Sequence, residues 1–343
     1  MTPDANASPD VVTLGEVMVR LSPPYDVPLE AAAALRPDTG GSEFGMAGAL
    51  ARLGTHVAWV SKLPDSPPGR LIYHAGCLHG IDMSYVVWAP LARNGRGGPP
   101  GQGSGPSPSA RTGLYFVEYL RERGRITVRY DRERSAVTEL AADEVQWPIF
   151  RSAKLVHLSG ITPALSGSCA ELVQRAVAEA KAGGAAVSFD LNYRSLLWPP
   201  QQARRALEPL LSSATLLIAT RTDLLTVFGI TGEPQTLARE VRRRFGCEVA
   251  ALTLGPDGAI VWDGARLYEW VGVPCEEVDR FVAGDCFAAG LIDGFLRGDL
   301  ELGVKRGGAM AALKHSIPGD MFWADEGDIS RVRPAGAGPW IAP

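Results

Sequence analysis

Short runs of apolar residues alternate with helical patterns along most of this chain. Residues 11–14, 57–60, 155–158, 186–189, 216–218 and 249–252 read as buried strands, each too short and too continuously apolar for a surface helix. Helical patterns lie between them at 46–53, 170–181, 202–211 and 236–244, and Gly54 stands where a helix cap would fall. Strands that alternate with helices predict a mostly parallel sheet covered by helices. A late strand pair, 259–262 and 267–271, precedes Asp279, and 283–314 reads as helical.

Two stretches break the rhythm. Residues 21–41, together with 112–130, are richer in β-branched and aromatic residues with strand-like alternation. Residues 112–117 and 126–130 read as a hairpin pair, so a small β-rich flap is expected. Residues 94–109, NGRGGPPGQGSGPSPS, are too polar and glycine-rich to bury a core and read as a flexible insert. No internal repeat is present.

The chain has 343 residues, enough for one large α/β domain or two smaller ones. Its net charge is −4, and its short basic cluster, Arg242-Arg243-Arg244, reads as a solvated helix face. No nucleic-acid partner is therefore expected. The cysteines, Cys77, Cys169, Cys247, Cys275 and Cys286, share no metal-ligand or CxxC spacing and read as reduced thiols. The first ten residues are polar, and no apolar run reaches bilayer length. These features predict a cytoplasmic protein without a membrane partner.

The densest chemistry lies in Val278 to Gly290. A turn of small residues with an acid, Val282-Ala283-Gly284-Asp285, runs into an apolar helix rich in small residues. Such a junction points free backbone N–H groups at one spot and suits an anion. Asp285 beside it could accept a proton, as phosphoryl transfer to a hydroxyl requires. Glycine and aspartate also cap helices, so a cap stands as the alternative. Thr253-Leu254-Gly255-Pro256-Asp257-Gly258 reads as a hairpin turn or as a glycine-rich edge for a nucleotide. Gly40-Gly41-Ser42-Glu43 is either a capped loop or a backbone surface open to a sugar. Asp190-Leu191-Asn192-Tyr193-Arg194 ends a parallel strand, where open α/β sheets bind ligands. Its arginine either forks onto a carboxylate or phosphate or pairs with a surface acid. Neither a P-loop nor a G-x-G-x-x-G strand–helix turn occurs.

Taken in order, these segments resemble the ribokinase-like (PfkB) carbohydrate kinases, and within them the 2-keto-3-deoxygluconate kinases. The likeness spans about residues 11–320. It also draws on Gly15-Glu16-Val17-Met18, Thr112-Gly113-Leu114-Tyr115-Phe116-Val117-Glu118, Tyr130-Asp131-Arg132 and His157-Leu158-Ser159-Gly160. The resemblance implies a three-layer α/β/α domain over 11–320 with a mostly parallel central sheet. A small β-sheet lid is implied at about 18–40 and 84–132, with 94–109 as an insert within it. It implies ATP and Mg²⁺, with no metal ligand assigned, and transfer of a phosphoryl group to a primary hydroxyl of an acidic or keto sugar.

By position, Asp285 matches the family's base, and Ala283, Gly284 and Asp285 match its anion hole. Arg194 and Arg132 match arginines near an acid sugar. Gly40, Gly41, Gly45 and Tyr115 match the sugar-contacting surface. Thr253, Gly255, Gly258, Val282 and Gly308 match the nucleotide side. A homodimer through exposed lid edges is a further expectation.

The chain departs from the pattern at three places. Val282 replaces a glycine, and would be strained if that position needs positive φ. Gly45 replaces an asparagine that presents polar atoms to the sugar. Gly308 replaces an asparagine near the adenine pocket, and Thr220-Arg221-Thr222-Asp223 stands for an Asn-x-x-Glu pattern. Two alternatives therefore stay open: a kinase with a changed acceptor, and a catalytically weak sugar- or nucleotide-binding regulatory homologue.

Overall fold

The computed structural model describes residues 8–90, 110–120 and 125–333; the 94–109 insert lies outside them. The apolar runs form the inner strands of a nine-stranded sheet. Its strands are β1 (Val11–Leu14), β4 (Val57–Pro64), β5 (Val86–Ala89), β8 (Leu155–Ser159), β9 (Ala186–Asp190), β10 (Leu216–Thr220), β11 (Val249–Thr253), β12 (Gly258–Trp262) and β13 (Leu267–Val271). The order is β13-β12-β11-β10-β9-β8-β1-β4-β5. Strands from β11 to β5 run parallel, and β12 and β13 add an antiparallel edge.

Both faces of this sheet are buried, which is why its strands read as continuous apolar runs instead of alternating ones. Val12, Leu14, Val156, Leu158, Leu217 and Ala219 face one helical layer. That layer contains α3 (Pro148–Ser152), α4 (Gly167–Gly183), α5 (Pro200–Leu211), α6 (Arg221–Asp223) and α7 (Pro234–Phe245). Val11, Leu155, Leu216 and Ile218 face the other, which contains α1 (Ser42–Ala51), α2 (Pro67–Leu78), α8 (Ala283–Leu296), α9 (Leu300–Ser316) and α10 (Glu326–Arg331). The result is the three-layer α/β/α architecture, with each layer closing one apolar face of the sheet.

A separate four-stranded sheet forms the lid, in the order β3 (Arg36–Gly40), β2 (Met18–Ser22), β6 (Gly113–Leu120), β7 (Arg125–Asp131). The hairpin expected over 112–130 is the antiparallel β6–β7 pair, with Tyr115 opposite Tyr130. Alternation in β6 buries Tyr115, Val117 and Tyr119 on one face. Val86–Ala89, inside the 84–132 stretch read above as lid, pairs with β4 at the edge of the large sheet.

Local differences from the sequence reading have identifiable causes. The 283–314 stretch divides into α8 and α9, because Gly298 takes φ 70 between them. Helix α1 starts at Ser42, four residues before the apolar pattern begins, since Gly41 is extended and ends β3's excursion. Helix α2 escaped the apolar pattern altogether. Its signals are polar ones, the Ser66 hydroxyl accepting from the Gly69 amide and prolines in the first turn.

Candidate active site

The site lies beyond the carboxyl ends of the parallel strands, roofed by the lid. There a cavity of about 1240 Å³ is lined by main-domain and lid residues, including Gly40, Gly41, Tyr115, Arg132, Arg194, Val282 and Asp285. Segments that are 245 positions apart in sequence thus share one wall, because β3 and β9 end, and β6 and α8 begin, at this edge.

Helix α8 supplies the anion turn. Its N-cap, Val282, has φ 65 and ψ 2, and no side chain caps the helix. Cys286 donates the first intrahelical bond, to the Val282 carbonyl at 2.9 Å. The amides of Ala283, Gly284 and Asp285 therefore precede the hydrogen-bonded ladder and face outward. A left-handed residue followed by helical ones gathers successive N–H groups into a concavity that favours an anion. A Cβ built on Gly284 meets nothing within 4 Å, so the cradle is open. The β-branched Val282 bears the strain that the sequence reading made conditional on positive φ, roughly 1–2 kcal/mol.

Asp285 is 9% exposed. Burial pushes its carboxyl up to about 7. The Ser42 hydroxyl and the Arg194 charge oppose that rise, while the Glu43 and Asp320 charges add to it. Ser42 donates to Asp285 Oδ1, and Asn192 Nδ2 donates to Ser42 Oγ at 2.9 Å. Asn192 itself sits at φ 36 and is tied to Asp190 through its own amide. The chain Asn192–Ser42–Asp285 therefore orients one carboxylate oxygen of a residue that lines the cavity.

Further in, Arg132 donates from Nε to Glu16 Oε2 at 2.9 Å, and its guanidinium lies 5.6 Å from the Tyr130 ring centroid. Arg194 is exposed, lines the cavity and forms no ion pair among the described residues. Glu43 is buried in the cavity wall and accepts from Ser159 Oγ at 2.7 Å and Thr162 Oγ1 at 2.6 Å; burial raises its pKa. Gly15 is forced by this group, since its Cβ would lie 2.5 Å from the Glu43 carboxyl carbon.

Asp320 was not singled out from the sequence, yet it lines the cavity and accepts from the Tyr115 hydroxyl and from Arg20. Arg20, 1% exposed on β2, also meets Asp279 Oδ2 at 2.7 Å. Tyr119 donates to Asp279 Oδ1 at 2.7 Å, and the Gly319 amide donates to Oδ2 at 3.0 Å. A buried arginine on the lid thus joins Asp279, at the entry to the anion turn, to Asp320, at the cavity floor. Gly40 approaches the same point, where a Cβ would fall 2.0 Å from the Tyr115 hydroxyl.

The other residues singled out from the sequence lie elsewhere. Thr253 ends β11 in register with Thr220 of β10, and Gly255 (φ 62) and Gly258 (φ 106) shape the turn into β12. These three share the sheet's carboxyl edge but do not line the cavity. Gly308 is buried under the Trp270 indole, where a Cβ would meet ring carbons at 2.2 Å. Gly45 sits on α1 directly behind Val282.

Among the described residues, no group of three or more His, Cys, Asp or Glu is placed to hold a metal by itself. Magnesium commonly takes only one or two carboxylates and completes its shell with phosphate and water. Asp190 and Asp223 suit that role. Burial raises both pKa values, that of Asp190 well above normal; the Asp285 and Asp223 charges add to the Asp190 shift, and Arg194 opposes both. The two carboxylates interact with each other and with Arg194, Asp190 at the end of β9 and Asp223 just beyond β10.

Comparison with known proteins agrees with this fold. The profile of pfkB family carbohydrate kinases matches residues 105–324. A 2-dehydro-3-deoxygalactonokinase of Haloferax volcanii is 36% identical over 94% of this chain and 96% of its own length. A 2-dehydro-3-deoxygluconokinase of Thermotoga maritima superposes with a TM-score of 0.82 at 30% identity, over 93% of this chain and 96% of that one. A ribokinase-like protein of E. coli, solved with ATP and Mg²⁺, shares the fold at TM-score 0.81 and 22% identity, over 94% and 98% of the two chains. No helix among the described residues is long and apolar enough to cross a membrane.

Proposed function

The chain belongs to the pfkB family of carbohydrate kinases, and on that premise we propose that it phosphorylates a 2-keto-3-deoxy sugar acid at a primary hydroxyl, with Asp285 as general base. The galactonate- and gluconate-derived acids are the leading acceptors, as the relatives above are named for them. The observation that carries the reading is a single arrangement. A buried carboxyl, held near neutral pKa and oriented by Ser42, stands one residue from a cradle of uncommitted amides.

In this reading the acceptor hydroxyl lies against the free oxygen of Asp285. The carboxylate takes the proton as the hydroxyl oxygen attacks the terminal phosphorus of ATP, and the phosphorus–oxygen bond to ADP breaks. Amides of Ala283, Gly284 and Asp285 hydrogen-bond the transferring oxygens, where preorganised donors act without reorganisation. Arg132, held by Glu16, and the unpaired Arg194 grip the acceptor's carboxylate. Tyr115 and Asp320 meet its hydroxyls. Thr253, Gly255 and Gly258 border the nucleotide. Mg²⁺ bound with the nucleotide would supply charge to offset the phosphates, and Asp190 and Asp223 are the carboxylates to hold it.

An ADP-release assay over a panel of sugar acids, with ATP and Mg²⁺, tests this. Turnover is expected on a 2-keto-3-deoxy acid, falling about 10²–10⁴-fold in Asp285→Asn while calorimetry still detects acceptor binding. Well-folded protein that turns over no sugar acid rules the kinase out and leaves a binding role. Turnover unaffected by Asp285→Asn removes the base assignment alone.

A further inference from the structure

Two residues that differ from the expected pattern are in direct contact. A Cβ placed on Gly45 would lie 2.4 Å from Val282 Cγ1 and 3.4 Å from Cγ2. The Val282 isopropyl group therefore fills the room that a side chain at 45 would need. Val282 holds this place at φ 65, a conformation that β-branched residues avoid. Backbone strain of this kind persists where the surroundings impose it, and it clusters at sites where it serves a purpose.

The surroundings here are the reaction site. Val282 and Phe281 line the cavity beside Ser42 and Asp285. The cavity also carries charged groups, Glu16, Arg132, Arg194 and Asp320, and further apolar ones such as Met18, Ile161 and Leu165. Val282 thus presents an aliphatic surface three residues before Asp285, in the space that Gly45 leaves open. A hydroxyl pressed against that surface loses its water and gains no partner. A methylene in the same place loses nothing and buries apolar area.

We propose that Val282, seated in the space left by Gly45, is the residue that selects a deoxygenated acceptor, favouring a sugar acid with a CH₂ against this wall over the same acid with a hydroxyl there. The proposal rests on the sugar-acid kinase reading above and names the selecting residue within it. An apolar pocket rejects an added hydroxyl by about 10²-fold at most, so a preference of about 10–100-fold is expected.

The experiment compares kcat/KM for 2-keto-3-deoxygluconate and for 2-ketogluconate, which carries the additional hydroxyl, using the full chain with ATP and Mg²⁺. Wild type should prefer the deoxy acid at least tenfold. Val282→Gly should bring the ratio within about threefold, chiefly through a lower KM for 2-ketogluconate. Val282→Asn tolerates the same backbone and adds a polar group, and it should do the same, so a poorly folding glycine variant leaves the question answerable. Gly45→Ala should lower Tm, and adding Val282→Gly should restore it. A wild-type ratio near one, or a ratio that moves less than twofold in Val282→Asn, overturns the inference while leaving the kinase intact. Turnover of neither acid overturns the inference, and turnover of no sugar acid in the wider panel overturns the kinase reading as well.

Discussion

At Asp285, burial favours the neutral acid and proton abstraction needs the ion. Its carboxyl is pushed up to about 7, against an ordinary 3.8. Two effects of pH follow, with opposite signs. With Asp285 as the proposed base, activity needs the ionised form, so kcat/KM of the free enzyme should fall about tenfold per pH unit below about 7. Stability runs the other way. The unfolded chain ionises near pH 4 and the folded one near pH 7, so the fold loses stability as pH rises across that window. Asp285→Asn removes the titration. Its Tm advantage over wild type should therefore grow from pH 4 to pH 7 and then level off. Parallel Tm curves for the two proteins would mean that this carboxyl titrates near its ordinary value.

Helix α8 is held by its contact with α9, and that contact depends on missing side chains. A Cβ on Gly290 would lie 2.3 Å from the Gly307 amide nitrogen, and one on Gly294 would lie 2.3 Å from the Gly303 Cα. Both obstacles are backbone, which cannot rotate away. Gly290→Ala should therefore cost about 1–3 kcal/mol in urea unfolding. Gly284 sits on the same helix with nothing near its virtual Cβ. Gly284→Ala should leave the unfolding midpoint unchanged and lower kcat/KM at least tenfold, because the added methyl enters the phosphate cradle. If both substitutions only destabilise, the open space above Gly284 is not a ligand site. This helix also marks a limit of pattern reading. Its small residues were visible in the sequence, but an anion site and close helix packing ask for the same residue types.

Lid and body are joined by one buried cation. Arg20 is 1% exposed and is shared by Asp279 and Asp320, with Tyr115 and Tyr119 completing the cluster. Breaking a buried ion pair from one side leaves uncompensated charge, which costs about 3–5 kcal/mol. Arg20→Met should lose stability in that range, and the acceptor KM should rise because Asp320 and Tyr115 lose their anchor. A loss under 1 kcal/mol with unchanged KM would separate this network from the site. Tyr115 was singled out beforehand, but its link to the buried cation was not legible. Arg20 and Asp320 are 300 positions apart, and an arginine within a short strand reads as an exposed residue until its partners are known.

Most strands of the large sheet and the longer helices between β8 and β11 were decided by local pattern. Continuous apolar runs mean burial on both faces of a sheet, and that holds wherever the run lies in the chain. The anion turn was equally local, since small residues, an acid and a following helix occur within a dozen positions. Tertiary structure alone decided which charges meet and which spaces are filled. Asp320 reaches the cavity, Ser42 and Asn192 orient the Asp285 carboxylate, Gly308 lies beneath Trp270, and Gly45 and Val282 are two halves of one contact. Each depends on atoms brought together from distant segments, where a shift of an ångström separates a hydrogen bond or a packed wall from a gap.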